Sequence, residues 1–394
     1  MLVQIKDICS FVCSGGTPSK KHPEYYAGGT IPWLNTSEIQ FSRIYSTEHF
    51  ISDLGLSYSS AKWVPKNAVI VAMYGATAAR VAISKIPLTT NQACCNLVID
   101  PQKADYRFVY YWLLSKYSQL ASLANGGAQQ NLNAGQIKDF PIEIPSLNKQ
   151  KIIADLLSVL DDKIELNNRI NGNLEQEAQA IYKAWFCNFL LNEGTPPLSW
   201  RNTTVGELTC LVARGITPKY TDNSGQVVLN QKCIRNHMID FSPARHHLPK
   251  AINEKWLEKG DLLINSTGEG TLGRVAQVWF SPESLTVDSH VTIVRPKSTE
   301  LQNYIGLWGI THETEIEALH TGSTGQTELP RDRIKAMELH LPDIVTLSSF
   351  NEIITPMTQC IVKNQKENAR LAALRDALLP KLMSGELDVS MVTL

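Results

Sequence analysis

No apolar run in the chain approaches the roughly 18 residues that a membrane-spanning helix requires. Its first residues, MLVQIKDICS, lack a charged segment followed by a hydrophobic one. These absences predict a soluble, cytoplasmic protein with no membrane partner. Cysteine is present eight times but without zinc or redox spacing: Cys9 and Cys13 are four apart, Cys94 and Cys95 adjacent, and Cys187, Cys210, Cys233 and Cys360 scattered. Buried reduced thiols are expected rather than metal ligands. Neither sign of charge is in excess, the net being -1. Residues 1–145 carry 12 Lys/Arg against 9 Asp/Glu, and residues 194–342 carry 15 against 16. That balance argues against gripping nucleic acid by bulk electrostatics alone, so any affinity for DNA must come from local patches or from partner subunits.

Catalytic signatures are missing as well. There is no GxxxxGKS/T phosphate loop, and the cluster Gly268-Glu269-Gly270-Thr271-Leu272-Gly273 lacks the lysine that would follow. The Asn-Pro-Pro-aromatic and Asp-Pro-Pro-aromatic sequences of adenine methyltransferases do not occur, nor do HExxH and GxSxG. Asp161-Asp162-Lys163 lies in a helical pattern and reads as a solvated face. His246-His247 reads as a surface pair rather than a metal site or DNA contact. The expectation is a chain with no catalytic residue, no metal and no cofactor of its own.

What is present is a duplication. Ile5 to Pro18 (IKDICSFVCSGGTP) reappears as Val205 to Pro218 (VGELTCLVARGITP), and from Ile137 onward the offset is a steady 197. Between these lie further landmarks: Asn67 to Val71 with Gly75 and Arg80 answers to Gly260 to Ile264 with Gly268 and Arg274, and Trp112, Gln130 and Pro145 answer to Trp308, Gln326 and Pro342. Identity between landmarks is low, so the framework is shared and the surface has diverged.

Each copy ends in a helical segment. Ile153, Leu157, Leu160, Ile164, Asn167, Asn171, Leu174, Ala178, Ile181 and Trp185 alternate in spacings of four and three, the seam of a coiled coil. Adding 197 gives Phe350, Ile354, Met357, Ile361, Asn364, Asn368, Leu371, Arg375, Leu378 and Leu382. Each seam carries two asparagines, where an apolar residue would stabilise more; a buried seam asparagine fixes register and partner choice, or else meets another subunit. Packing the two helices antiparallel is the simplest way to cover both seams. At 1.5 Å per residue a 34-residue helix spans roughly 50 Å, long enough to act as a ruler. Thr355-Pro356 places a proline either at the first position behind a threonine cap, so that the second helix starts about ten residues later than its twin, or at a kink.

The reading is therefore α+β: two similar strand-rich lobes, joined by two long helices in an antiparallel coiled coil. The divisions fall at 1–146 (first lobe), 147–191 (central helix), 192–343 (second lobe, entered through Asn192-Glu193-Gly194-Thr195-Pro196-Pro197) and 344–394 (C-terminal helix and tail). Short runs at Ala68 to Met73, Asn96 to Ile99, Leu262 to Ile264 and His290 to Val294 suit buried strands, and Arg107 to Leu120 and Asn303 to Leu319 suit one helix each.

Polar loops carry the remaining signal. Gly-x-Thr-Pro followed by lysine offers Thr17, Ser19 and Lys20 in one copy, and Thr217 and Lys219 in the other, for a phosphate or base edge; an ordinary tight turn is the alternative. Gly126 to Asn133, with Gln129, Gln130, Asn131 and Asn133, and Gly322 to Thr327, with Thr324 and Gln326, supply amides and hydroxyls suited to reading adenine, or are solvated loops. Arg80 and Arg274 anchor phosphates or form structural ion pairs. Asn35, Tyr74, Thr77, Asn230, Lys232, Arg235, Ser266, Thr267 and Arg331 complete the candidate DNA-contacting set.

These motifs carry a resemblance. The Gly-x-Thr-Pro of each half, the Gly-Asp-Leu-Leu-Ile strand, the helix Leu160 to Asn171 (LDDKIELNNRIN) continuing to Ala184-Trp185-Phe186, and the ending Leu374 to Leu387 (LRDALLPKLMSGEL) resemble the DNA specificity subunit of type I restriction-modification systems. The first copy departs in having Pro65-Lys66-Asn67-Ala68 where Gly-Asp is usual, and the second copy lacks the Asp-Asp-Lys. The resemblance implies two target recognition domains, each reading one half of a bipartite sequence in double-stranded DNA, and helices that space them and dock two methyltransferase subunits. It implies that S-adenosylmethionine, ATP and magnesium serve those partners and a restriction motor subunit, not this chain. An orphan DNA-binding regulator and a protein-protein scaffold of the same shape remain as rivals.

Overall fold

The computed structural model describes residues 1–124, 131–222, 224–268, 270–322 and 327–389. They divide into two units: Met1–Ile164 with Ala369–Leu394, and Glu165–Asn368. The fold is α+β.

Val69–Ala72 is the strand from which the first unit is built. All four residues are buried and β-branched or small, and strand alternation sends them to opposite faces. Val69 and Val71 enter one core with Phe108, Val109 and Leu113 of the helix Tyr106–Ser115. Ile70 and Ala72 enter another with Leu34, Ile39 and Val64. Each such aliphatic side chain removed from water contributes about 1.5–3 kcal/mol. The sheet runs Cys9–Ser14, Cys94–Ile99, Val69–Ala72, Val81–Ser84 and Arg43–Ile44 in spatial order. A second sheet of three strands places Ile31–Leu34 between His49–Ile51 and Thr89–Thr90.

The second unit repeats this plan. Leu262 and Ile264 pack with Tyr304, Ile305 and Trp308, while Leu263 faces Leu229, Cys233 and Val287. Its four-stranded sheet runs Thr209–Arg214, Val291–Pro296, Leu262–Asn265 and Val275–Gln277, and its three-stranded sheet has Val227–Leu229 at the centre. Even the irregularities are duplicated, since a register shift between Cys9 and Phe11 has its counterpart between Thr209 and Leu211.

The helices Leu147–Tyr182 and Ile344–Ser384 contribute to both units. None of the twenty seam positions is fully exposed. In the second unit Asn364 Nδ2 donates to Asn171 Oδ1 (2.8 Å) and Asn167 Nδ2 donates to Asn368 Oδ1 (2.9 Å), a pairing whose opposed numbering makes the helices antiparallel. In the first unit Arg375 donates to Asp161 (2.8 Å) at the same kind of level. Leu379, Leu382 and Met383 then finish the first lobe's core, as Ala178, Tyr182 and Phe186 finish the second's.

Several expectations are corrected. The C-terminal helix does not start late: it begins at Ile344 and runs through Thr355-Pro356. Leu347, Phe350 and Ile354 are buried on this early stretch, and Pro356 lies on an exposed turn where the carbonyl it leaves unpaired, that of exposed Glu352, meets water. Each lobe's expected single helix is two, Tyr106–Ser115 with Tyr117–Ser122 and Gln302–Thr311 with Glu313–Ala318. They break at Lys116 and His312, equivalent residues that leave the helical ψ range and lie against Trp112 and Trp308. Of Asp161-Asp162-Lys163, Asp162 and Lys163 are exposed as expected, but Asp161 is not part of a solvated face, because it also accepts from Tyr111 Oη (2.5 Å). His247 is fully buried rather than at the surface. Cys13, Cys94, Cys95 and Cys233 are buried free thiols, but Cys210 is exposed. Burial pushes the Cys9 and Cys95 thiols up to about 12. Among the described residues no cluster of potential metal ligands and no helix long and apolar enough to cross a membrane is found.

Candidate nucleic-acid interface

A short segment organises the polar loops of each lobe. In the first it is Thr89 to Ala93. Gly16 N–H donates to the Thr90 carbonyl (2.9 Å), Asn91 N–H donates to the Leu34 carbonyl (3.0 Å), and Met73 N–H donates to the Ala93 carbonyl (2.8 Å). The Gly-x-Thr-Pro loop, the turn at Asn35 and the strand leading to Tyr74 are thereby tied to one place. Leu132 N–H donates to the Met73 carbonyl (2.8 Å), and a backbone bridge joins Tyr74 to Asn131, which brings in the edge of the polar loop.

The second lobe has the same hub at Thr286 to His290. Ile216 N–H donates to the Val287 carbonyl (2.9 Å), Asp288 N–H to the Leu229 carbonyl (2.9 Å), and Ser266 N–H to the His290 carbonyl (2.8 Å). Leu329 N–H donates to the Ser266 carbonyl (2.9 Å), and Thr267 bridges to Glu328. The hub residues Asn91, Gln92, Asp288 and His290 were absent from the sequence-based set. The 197-residue offset between Asn91 and Asp288 was the signal available for them.

Glycine is required where the loop meets the hub. A Cβ at Gly15 would lie 2.0 Å from the Thr90 carbonyl oxygen, and one at Gly215 would lie 2.0 Å from that of Val287. Trp33 Nε1 donates to the Gly16 carbonyl (2.9 Å) and holds the first loop from below. The loops then carry Thr17, Ser19, Lys20, Thr217 and Lys219 outward, all exposed. Thr17 bonds Gln92, and the Thr217 carbonyl accepts from Lys250 Nζ (3.1 Å).

Other candidates divide by whether their polar atoms are already engaged. Asn35 and Asn230 cap equivalent short helices; the Asn230 side chain accepts from Lys232 N–H (2.9 Å) and donates to the Pro243 carbonyl (2.7 Å), while Asn35 accepts from Asn91 Nδ2 (3.2 Å). Asn133 caps a helix through Gln136 N–H (2.9 Å). Ser266 is wholly buried, with its hydroxyl against Thr292 (2.6 Å), so it supports the loop from inside. Thr77 turns back to the Tyr74 carbonyl (3.2 Å), and Thr267 bonds His290 (2.6 Å). By contrast Lys20, Lys219, Lys232, Asn131 and Arg331 are exposed, and Tyr74 is partly so, while Arg235, also exposed, donates through Nε to the Lys232 carbonyl (3.1 Å). Gln129, Gln130, Thr324 and Gln326 lie outside the described residues.

The paired arginines have different surroundings. Arg80 is half-buried, bonds the Gln40 side chain and lies 6.0 Å from the Phe41 ring, with no carboxylate partner among the described residues. Arg274 lines a cavity of about 370 Å³ in the second unit, with Gly172, Glu175, Asn236, His237 and Glu313. There His237 pairs with Glu175 of the central helix and with Glu313 (3.4 Å). The Glu175 carboxylate, then Glu313, raise the His237 imidazole to about 9 against the opposing effect of burial. His237 thus fastens the second lobe to its helix.

Comparison with known proteins places this geometry. Residues 1–176 match the family model described as "Type I restriction modification DNA specificity domain". A putative type I specificity subunit of Mycoplasma genitalium is 32% identical over 335 residues, covering 80% of this chain and 81% of that one. The MjaIX type I restriction enzyme specificity subunit of Methanocaldococcus jannaschii is 27% identical over 414 residues, covering 98% and 93%. Among solved structures, the type I restriction-modification S subunit from M. genitalium shares the fold with a TM-score of 0.58 at 18% identity, over 97% of this chain and 95% of that one. By its duplicated lobes, its seam helices and these relatives, the chain belongs to the family of type I restriction-modification specificity subunits.

Proposed function

We propose that this chain reads an asymmetric bipartite sequence in double-stranded DNA, one half-site per lobe, and directs methyltransferase subunits to it. The observation that carries this reading is the twofold use of one loop scaffold with unlike side chains. Thr89-Thr90-Asn91-Gln92-Ala93 and Thr286-Val287-Asp288-Ser289-His290 hold the same loops by the same backbone bonds, yet expose different donors and acceptors. A common frame with divergent edges suits two readers of different base sequences. With a net charge of -1 the chain has no bulk electrostatic pull on DNA, so tight binding draws on local basic residues together with partners that supply further phosphate contacts. S-adenosylmethionine is used by the methyltransferase partners, and ATP with magnesium by a restriction motor where one joins.

The test is a lobe exchange. Residues 198–343 are replaced by the second lobe of another specificity subunit, the chimera is expressed with its methyltransferase, and methylated DNA is sequenced. One half of the motif changes and the other stays. A change in both halves refutes the assignment of one half-site to each lobe, and sequence-specific binding by the isolated chain at physiological salt favours an orphan regulator instead.

A further inference from the structure

Arg245 occupies the two-residue strand Arg245–His246 at one edge of the second lobe's three-stranded sheet. Its guanidinium carbon lies 3.6 Å from the centroid of the Tyr220 ring, over the ring face. Arg245 is exposed and Tyr220 is 41% exposed. Several other arginines of this lobe are engaged, Arg295 with Asp261 (2.8 Å), Arg214 with Glu328 (2.8 Å), Arg333 with the Leu319 carbonyl (3.1 Å) and Arg235 with the Lys232 carbonyl (3.1 Å), while Arg331 is exposed but has no aromatic ring beneath it among the described residues. Among the described residues the Arg245 guanidinium has neither a hydrogen-bond acceptor nor an ion-pair partner.

The stack is built into the loop cluster. Thr221 N–H donates to the His246 carbonyl (3.1 Å), Leu248 N–H donates to the Lys219 carbonyl (2.8 Å), and Tyr220 bridges to the buried His247. The strand bearing Arg245 is therefore zipped to the residues that follow Gly215 to Pro218. An aromatic face under the guanidinium restricts the long side chain and leaves its donor edges outward. A planar fork of unsatisfied donors, already ordered, matches the O6 and N7 acceptors of guanine. The first lobe follows its own Gly-x-Thr-Pro with a different stack, His22 on Tyr25 (4.8 Å) and Tyr25 beside Tyr58 (6.0 Å), which contains no arginine. The two lobes thus differ in chemistry at this place.

We propose that Arg245, held by Tyr220, reads a guanine in the half-site of the second lobe. The proposal rests on the reading of one half-site per lobe. Full-length chain is expressed with its methyltransferase subunits as wild type, Arg245→Ala, Arg245→Lys, Tyr220→Phe and Tyr220→Leu, and methylated DNA is sequenced. Both Arg245 variants relax one guanine position of the second half-site, lowering discrimination there by roughly 5- to 150-fold, and leave the first half-site intact. Arg245→Lys retains the charge and the stem but not the fork, so it keeps the test valid if the alanine variant fails to fold. Tyr220→Phe preserves the motif, and Tyr220→Leu relaxes the same position in part. Uniform weakening with the motif intact assigns Arg245 to a phosphate and overturns the proposal, as does loss of all methylation by Arg245→Lys. A wild-type complex that methylates no bipartite sequence refutes the underlying reading; a bipartite motif unchanged by the Arg245 variants refutes this inference alone.

Discussion

Asn364 donates a 2.8 Å hydrogen bond to Asn171, and in the duplication these two are not counterparts of each other. The counterpart of Asn364 is Asn167 and that of Asn171 is Asn368, and those two pair as well (2.9 Å). Residue i meeting j while j meets i is the signature of an isologous, locally two-fold contact. Asn171 and Asn167 are 5% and 1% exposed, so these amides sit out of water.

Asn364→Ala strips Asn171 of its donor and leaves a buried amide unpaired, a loss of about 1–3 kcal/mol. Replacing both partners, Asn171→Leu with Asn364→Leu, recovers that loss, because an apolar pair leaves nothing unsatisfied. Urea midpoints of the two variants measure this; a single variant as stable as the double one contradicts it.

Gly215→Ala forces a methyl group against the Val287 carbonyl and is expected to destabilise the second unit by about 1–3 kcal/mol. Methylation sequencing should then show disturbed recognition in the second half-site with the first unchanged, and Gly15→Ala should give the mirror result. Indifference of both half-sites to both changes would remove the loops from the interface.

His237 makes the second unit sensitive to alkali. Its imidazole is raised to about 9 in the folded chain, chiefly by Glu175, against an ordinary value near 6.5. A raised folded value means that the folded state holds the proton more tightly. The resulting stabilisation is full below about pH 6.5, and it declines as pH rises towards 9 and is lost above. Thermal melts of wild type should fall across that window relative to His237→Gln, which has nothing to titrate there. Parallel pH profiles would exclude the ion pair as a fastening.

Residues 1–193 contain one lobe and one helix whose asparagines are able to pair with those of a second copy. The first lobe, however, is completed by Leu379, Leu382 and Met383, whose counterparts are the bulkier Tyr182, Trp185 and Phe186, and Arg375 answers to Ala178. A fragment carrying Ala178→Arg, Tyr182→Leu, Trp185→Leu and Phe186→Met should therefore dimerise more tightly than the unmodified fragment. With methyltransferase it should methylate a palindrome of the first half-site. Light scattering and methylation sequencing read the two steps, and equal dimerisation of both fragments would show that these contacts do not discriminate.

The framework was legible because its signals are local and periodic. Val69 to Val71 and Leu262 to Ile264 announce strands buried on two faces, and the spacing of four and three from Ile153 to Trp185 announces a helix. Thr355-Pro356 misled for an instructive reason: backbone preference there is overridden by the burial of Phe350 and Ile354. Asp161 misled because an aspartate in a helical pattern reads as solvated until Tyr111 and Arg375, distant in sequence, are seen to reach it.

The sequence by itself determined the duplication, the strand-rich lobes, the seam and its asparagines, since repetition and hydrophobic period need no knowledge of what packs against what. Tertiary structure decided which polar residues are free to meet a ligand. Asn35, Asn133 and Asn230 become caps and Ser266 a buried strut, while Arg245, unremarked in the sequence, is left with an open donor edge on Tyr220. Whether an amide, hydroxyl or guanidinium is spent inside the protein depends on backbone groups tens or hundreds of residues away, and no local pattern records them.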